Sequence, residues 1–148
     1  DIDYGYVGDV MPEGVNINLL DLLLKQRVVP VVAPLTHASG NMLNTNADTI
    51  AAVLAIALSR IYAVRLIYCF EKKGVLRDVN DNDTVIHHLP QSLYKTLLTQ
   101  QIFADGILPK LENAYDAIHA GVKEVLIGEA DDLIQNTTMQ TSGTLITA

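Results

Sequence analysis

Two short stretches carry residue types suited to an anionic substrate. Asn44-Thr45-Asn46-Ala47-Asp48-Thr49 reads as a loop running into a helix. Asn44 and Asn46 offer neutral donors and acceptors that can orient a substrate without adding charge. Asp48 can hold ammonium groups in place, and the free N–H groups of a helix start favour a nearby anion. The second stretch is Asp105-Gly106-Ile107-Leu108-Pro109-Lys110. It puts Lys110 in or near the first turn of a helix, beside a glycine that lets backbone approach a ligand. A cation there opposes the helix dipole, an odd structural choice unless an anion joins it. Each stretch has a plain alternative when taken alone. Asn46 can be only a cap and Asp48 only a first-turn acid, because such caps are common. Lys110 can be an ordinary exposed lysine.

Gly74-Val75-Leu76, just after Cys69-Phe70, is a weaker signal: the glycine either admits a base or ribose or merely turns the chain. No Gly-rich loop ending in Lys-Ser/Thr occurs, which excludes a P-loop ATPase. His87 and His88 are adjacent and would point apart on a strand, and His37 and His119 lie far away, so no metal site of protein ligands is expected. No Gly-Xaa-Ser-Xaa-Gly elbow supports hydrolase chemistry.

These residues need elements to position them. Val15 to Gln26 carries a helical apolar stripe at Val15, Leu19, Leu22 and Leu23. Val28 to Leu35, rich in β-branched residues, predicts a buried strand. A polar loop, His37 to Thr45, follows. Asn46 then caps an Ala-rich helix reaching about Arg60. Val64 to Phe70 predicts a second strand, and the charged stretch Glu71 to Thr84 a surface loop or hairpin. Pro90 opens a helix to about Gln101, and Pro109 another that stops at Gly121. Lys123 to Gly128 predicts a third strand, Asp131 to Gln135 a short helix, and Gly143 to Thr147 a last strand. Helices alternating with short apolar strands favour a parallel or mixed sheet covered on both faces. The expected fold class is therefore α/β, a three-layer sandwich with a mainly parallel sheet flanked by helices. Ligands of such sheets bind beyond the carboxyl ends of the strands, here at loops 36–46, 71–84 and 128–131.

Bulk properties bound the function. The 148 residues suit one α/β domain, 1–148, and 49% apolar against 18% charged residues is a globular profile. A net charge of −7 with ten scattered Lys and Arg argues against DNA or RNA as partner, yet leaves nucleotides open. Cys69 is the single cysteine, so neither an internal disulfide nor a Cys-based zinc site is expected. The longest apolar run, Ile50 to Leu58, is about half of what a membrane helix requires. No signal peptide opens the chain, so the cytoplasm is the default compartment. The first residue is Asp1 rather than Met, which suggests a piece of something longer.

Taken in order, these pieces resemble the amino-acid kinase family and, within it, the N-acetylglutamate kinase branch. Gly5-Tyr6-Val7-Gly8 is similar to a Gly-(Tyr/His)-Val-Gly segment, and Val28-Val29-Pro30-Val31-Val32 to a Pro-Val-(Ile/Val) strand. Asn44-Thr45-Asn46-Ala47-Asp48 resembles Asn-Xaa-Asn-Ala-Asp, the most specific match. Gly106-Ile107-Leu108-Pro109-Lys110 is similar to Gly-Met-Xaa-Xaa-Lys, and Gly143-Thr144 to a closing Gly-Thr. The resemblance implies ATP-dependent phosphorylation of the side-chain carboxylate of an N-acyl-L-glutamate, giving an acyl phosphate in arginine biosynthesis. By position, Lys110 and Asp48 would be catalytic, with Asp48 organising the catalytic lysines. Asn44 and Asn46 would meet substrate. Gly74, Val75, Leu76, Ile102, Phe103 and Ala104 would border ATP. Mg2+ would be held mainly by the nucleotide phosphates, and a homo-oligomer would be the assembly.

Two departures stand out. Cys69-Phe70-Glu71-Lys72-Lys73 precedes Gly74 with two residues more than the family pattern, so Lys72 or Lys73 could meet phosphate instead. The family's N-terminal half, with its Lys and Gly-rich phosphate loops, has no counterpart here. The chain is thus expected to be the C-terminal, ATP-binding part of a longer kinase, inactive by itself. The alternatives are an aspartate, glutamate or carbamate kinase, and a non-catalytic α/β module that associates with a partner or binds an effector.

Overall fold

The computed structural model describes residues 5–103 and 106–148. Ala104 and Asp105 therefore lie outside the described residues. So do residues 1–4.

The first helix, α1 (Ile17–Lys25), starts where the Asn16 side chain accepts from the Leu19 N–H at 3.0 Å. The apolar run after it is not the buried strand predicted over 28–35. That run is irregular and faces solvent, with Val29 82% and Val31 96% exposed. Pro30 and Pro34 remove two ladder donors, and no described strand pairs with residues 28–34. β-branched residues without a partner strand do not make a strand. Pairing begins only past Pro34, in the hairpin β1 (Leu35–Ala38) and β2 (Asn41–Asn44), so the polar loop predicted over 37–45 is largely this hairpin. Ser39 and Gly40 both take positive φ, 50° and 82°, as a tight two-residue hairpin turn demands.

The opening segment fastens this hairpin from its other edge. Gly8 donates to the Asn44 carbonyl and the Asn44 N–H donates to the Tyr6 carbonyl, both at 2.8 Å. Buried Thr45 ties in Thr36 at 2.7 Å and the Gly8 carbonyl at 3.1 Å. The chain thus enters helix α2 (Ala47–Ser59) from a clamped position. Asn46 caps it as expected, its side chain accepting from the Asp48 and Thr49 N–H groups at 2.8 and 3.2 Å.

The main sheet follows. Its strands are β3 (Arg65–Phe70), β4 (His88–Pro90), β5 (Glu124–Glu129) and β6 (Thr144–Thr147), in the order β3-β5-β6-β4. β3 runs parallel to β5 and β4 parallel to β6, while β5 and β6 are antiparallel. The sheet is therefore mixed, with parallel pairings in the majority. β4 escapes sequence reading because three residues closed by a proline show no period. Leu89 at its centre is nevertheless fully buried. Pro90 is the residue before helix α3 (Gln91–Thr99), with extended backbone, and not its first helical residue.

Val125, Leu126 and Ile127 are each 0% exposed, the mark of a strand covered on both faces. Val125 and Ile127 join the cluster formed with α2 and with α4 (Leu108–His119), whose Leu111, Ala114 and Ile118 point inward. On the other face, α5 (Leu133–Asn136) brings Asn136 against Gly128. Tyr115 stacks on Tyr94 at 4.6 Å and donates to the Leu89 carbonyl at 2.8 Å, joining α4 to α3 and β4. Among the described residues, no helix is long and apolar enough to cross a membrane. Loops 71–84 and 128–131 do follow sheet strands. Loop 36–46 belongs to the hairpin instead, and reaches the sheet's rim only through α2.

Candidate active site

Helices α2 and α4 pack against each other with their N-termini at the same end. Asp48 occupies the first turn of α2, and Lys110 that of α4. Their side chains meet in a short ion pair, Lys110 Nζ donating to Asp48 Oδ2, with the lysine 21% and the carboxylate 36% exposed. The two corners singled out in the sequence thus converge. Asp48 gains from its helix dipole, and Lys110 opposes its own. The lysine is compensated by the carboxylate and by two aromatic faces. Its ammonium lies 5.3 Å from the Tyr68 ring centroid and 5.9 Å from that of Phe70, within cation–π range.

Tyr68 and Phe70 alternate on β3 and so share one face of the sheet. The Tyr68 hydroxyl donates to the Asp48 backbone carbonyl at 3.4 Å. Burial, and secondarily the Asp48 charge, push its phenol up to about 12. A tyrosine with a higher pKa folded than unfolded stabilises the fold below about pH 10 and loses that contribution as pH rises toward about 12. Tyr68→Phe is accordingly expected to flatten the loss of stability over that alkaline window. Chemical unfolding at stepped pH checks it, and an unchanged slope would remove Tyr68 from the account.

Beside the ion pair lies a cleft of about 270 Å³, lined among others by Phe70, Lys72, Gly74, Leu76, Ile102 and Ile107. Val75 and Val79 add to its largely apolar wall. Phe70 borders this cleft and also carries Lys110, so the cleft and the ion pair are neighbours. Gly74, Val75, Leu76 and Ile102, named from the sequence, come together here. Phe103 does not line this cleft. It is buried 5.6 Å from the Tyr94 ring, between α3 and the start of α4. Ala104 lies outside the described residues.

Asn44 and Asn46 stand on the approach to α2. The Asn44 backbone is held by the opening segment, and the Asn46 oxygen is spent on the cap. Of the two extra lysines, Lys72 lines the cleft, whereas Lys73 lies 3.7 Å from Asp83 in a solvent-exposed pair. Sequence reading passed over Tyr68 and Phe70. Two aromatics at alternate positions of a predicted strand were the available signal. Chemically, two helix N-termini, one lysine held by a carboxylate and an adjoining apolar cleft can accept a flat apolar group with an anionic tail.

The amino acid kinase family model matches residues 6–129. The acetylglutamate kinase of Phocaeicola vulgatus is 51% identical over 147 residues, 99% of this chain and 54% of the relative. That of Bacteroides fragilis strain YCH46 is 54% identical over 128 residues, covering 86% and 48% respectively. A crystal structure from Streptococcus mutans UA159 superposes with a TM-score of 0.72 at 35% identity, covering 99% of this chain and 53% of that one. The chain spans about half the length of the curated relatives it matches.

Proposed function

This chain belongs to the amino acid kinase family, and we propose that it forms the C-terminal, nucleotide-binding domain of an enzyme that transfers the γ-phosphoryl group of ATP to the side-chain carboxylate of an N-acyl-L-glutamate. The observation that carries this reading is the Lys110–Asp48 pair at two helix N-termini beside the Phe70 cleft. Relatives about half identical and named acetylglutamate kinase supply the substrate class.

In the reaction, a carboxylate oxygen of the substrate attacks the γ-phosphorus in line. A new P–O bond forms, and ADP leaves with the β–γ bridging oxygen. Such a transfer requires positioning and charge neutralisation more than covalent help. Lys110 meets the equatorial oxygens, where negative charge is spread. Asp48 holds the lysine in place between turnovers, and the two helix N-termini add partial positive charge. The base and ribose fill the cleft along Gly74, Val75, Leu76 and Ile102, with Phe103 supporting that wall from the core. Asn44 and Asn46 orient the acylglutamate. Among the described residues no cluster of three His, Cys, Asp or Glu side chains could hold a metal ion. Mg2+ would be held mainly by the nucleotide phosphates, where it would neutralise charge. The product acyl phosphate fits arginine biosynthesis in the cytoplasm, by an enzyme that associates with further copies of itself.

The test is a substrate panel on the full-length protein. With ATP and hydroxylamine as trap, N-acetyl-L-glutamate is expected to give acyl hydroxamate, and aspartate and free glutamate are not. ADP release with carbamate alone would assign a different member of the family. Absence of any ATP-dependent product would leave only an associating α/β module. Residues 1–148 by themselves are expected to show no turnover.

A further inference from the structure

Thr144 begins β6, opposite Ile127 of β5, and is fully buried. Its hydroxyl does not serve its own strand. Instead it accepts the N–H of Val75, at 2.8 Å, across a buried contact 69 residues away in sequence. Val75 lies outside the named helices and strands, yet it is 1% exposed and lines the cleft. Its carbonyl accepts the Ile86 N–H at 2.8 Å, so the Thr144 hydroxyl and Ile86 satisfy both of its backbone groups. Gly74 fits because it has no side chain: an added Cβ would lie 2.7 Å from the Thr144 hydroxyl oxygen.

The threonine is itself fixed from behind. The side-chain oxygen of fully buried Asn136 accepts from the N–H groups of Ser142 and Gly143, at 3.0 and 3.3 Å, and from the Ser142 hydroxyl at 3.2 Å. The Ser142 hydroxyl lies 2.8 Å from Asp132 as well. A line of polar contacts thus runs from α5 through the 142–144 turn to the wall of the cleft.

We propose that Thr144 is a positioning residue for nucleotide, acting through Val75 by holding the Gly74–Leu76 wall at the distance a base or ribose requires. This rests on the kinase reading above. Thr144 touches neither the Lys110–Asp48 pair nor the reacting atoms, so it governs affinity and not transfer. Losing its hydroxyl leaves a buried N–H without a partner, a loss large enough to move the wall.

The experiment compares Thr144→Val and Thr144→Ser in the full-length protein, with ATP as the varied substrate. The valine variant, matched in shape, is expected to raise the KM for ATP about tenfold while kcat stays within about twofold. The serine variant, which keeps the hydroxyl, is expected to restore KM. Equal KM values in valine variant and wild type, or a serine variant as impaired as the valine one, would overturn the proposal. Hydrogen exchange at the Val75 amide gives a readout that survives misfolding of the valine variant. In wild type and Thr144→Ser this amide is expected to be protected, and further protected by ATP. A Val75 amide that ATP leaves unchanged, while other cleft amides gain protection, would also overturn it. If the kinase reading fails instead, wild type shows no ATP-dependent product or protection at all, and basal protection of Val75 is unaffected.

Discussion

Lys110→Ala in the full-length protein is expected to lower kcat by about 10²–10³-fold, the usual consequence of removing one preorganised charge donor from a developing anion. The loss should fall on kcat more than on the KM for ATP, because the cleft proposed for base and ribose has its wall at Gly74 to Leu76, and Lys110 is not among its lining residues. The geometry sharpens the expectation. Lys110 is held by Asp48 and by two rings, so its ammonium is already in place before substrate arrives. Lys110→Arg keeps the charge and can still stack on Tyr68 and Phe70, but its longer planar fork does not present a compact ammonium at the same point. It should recover only part of the rate. Steady-state kinetics with ATP and N-acetyl-L-glutamate measures both variants. An alanine variant turning over within about threefold of wild type would remove Lys110 from the chemistry.

Gly143→Ala is expected to destabilise the fold by about 3 kcal/mol, at the upper end of what overpacking costs. Its added methyl would overlap the Ile127 carbonyl oxygen and come within 3.0 Å of the Gly128 Cα. Both are backbone atoms of β5, the buried strand on which β6 pairs, so neither can swing aside as a flexible side chain would. Relief requires β6 to move off β5, which also carries Thr144 away from Val75. Denaturant unfolding of the full-length protein checks the magnitude. Gly14→Ala is the control, because a Cβ there meets nothing within 4 Å. A Gly143 variant no less stable than this control would show that β6 yields more easily than the close approach implies.

Several features needed only neighbours in sequence to be legible. Asn46 caps α2 because its side chain reaches N–H groups two and three residues on, and the Ala-rich run behind it propagates the helix. Pro109 and the stripe Leu111, Ala114, Ile118 specify α4 in the same way. Asp48 and Lys110 are therefore legible as helix-start residues from local sequence alone. The strands Arg65–Phe70 and Glu124–Glu129 were equally plain, as short apolar runs between turn signals.

What the tertiary structure alone decided involves pairing and side-chain destination. Val28 to Leu35 has the composition of a strand, but a strand exists only with a partner to take its hydrogen bonds, and among the described residues no strand pairs with the run before Leu35. Residues 88–90 became a strand for the opposite reason: Leu145 and its neighbours on β6 were there to pair. No local pattern says that β5 and β6 run antiparallel, or that Phe103 turns into the core against Tyr94 while Ile102 lines the cleft. Nor does any window of sequence join Lys110 to Asp48, 62 residues apart, or Thr144 to Val75. Caps and periodicity act over one helical turn. Contacts between elements depend on which surfaces the folded chain brings together, and that is fixed by burial summed over the whole core.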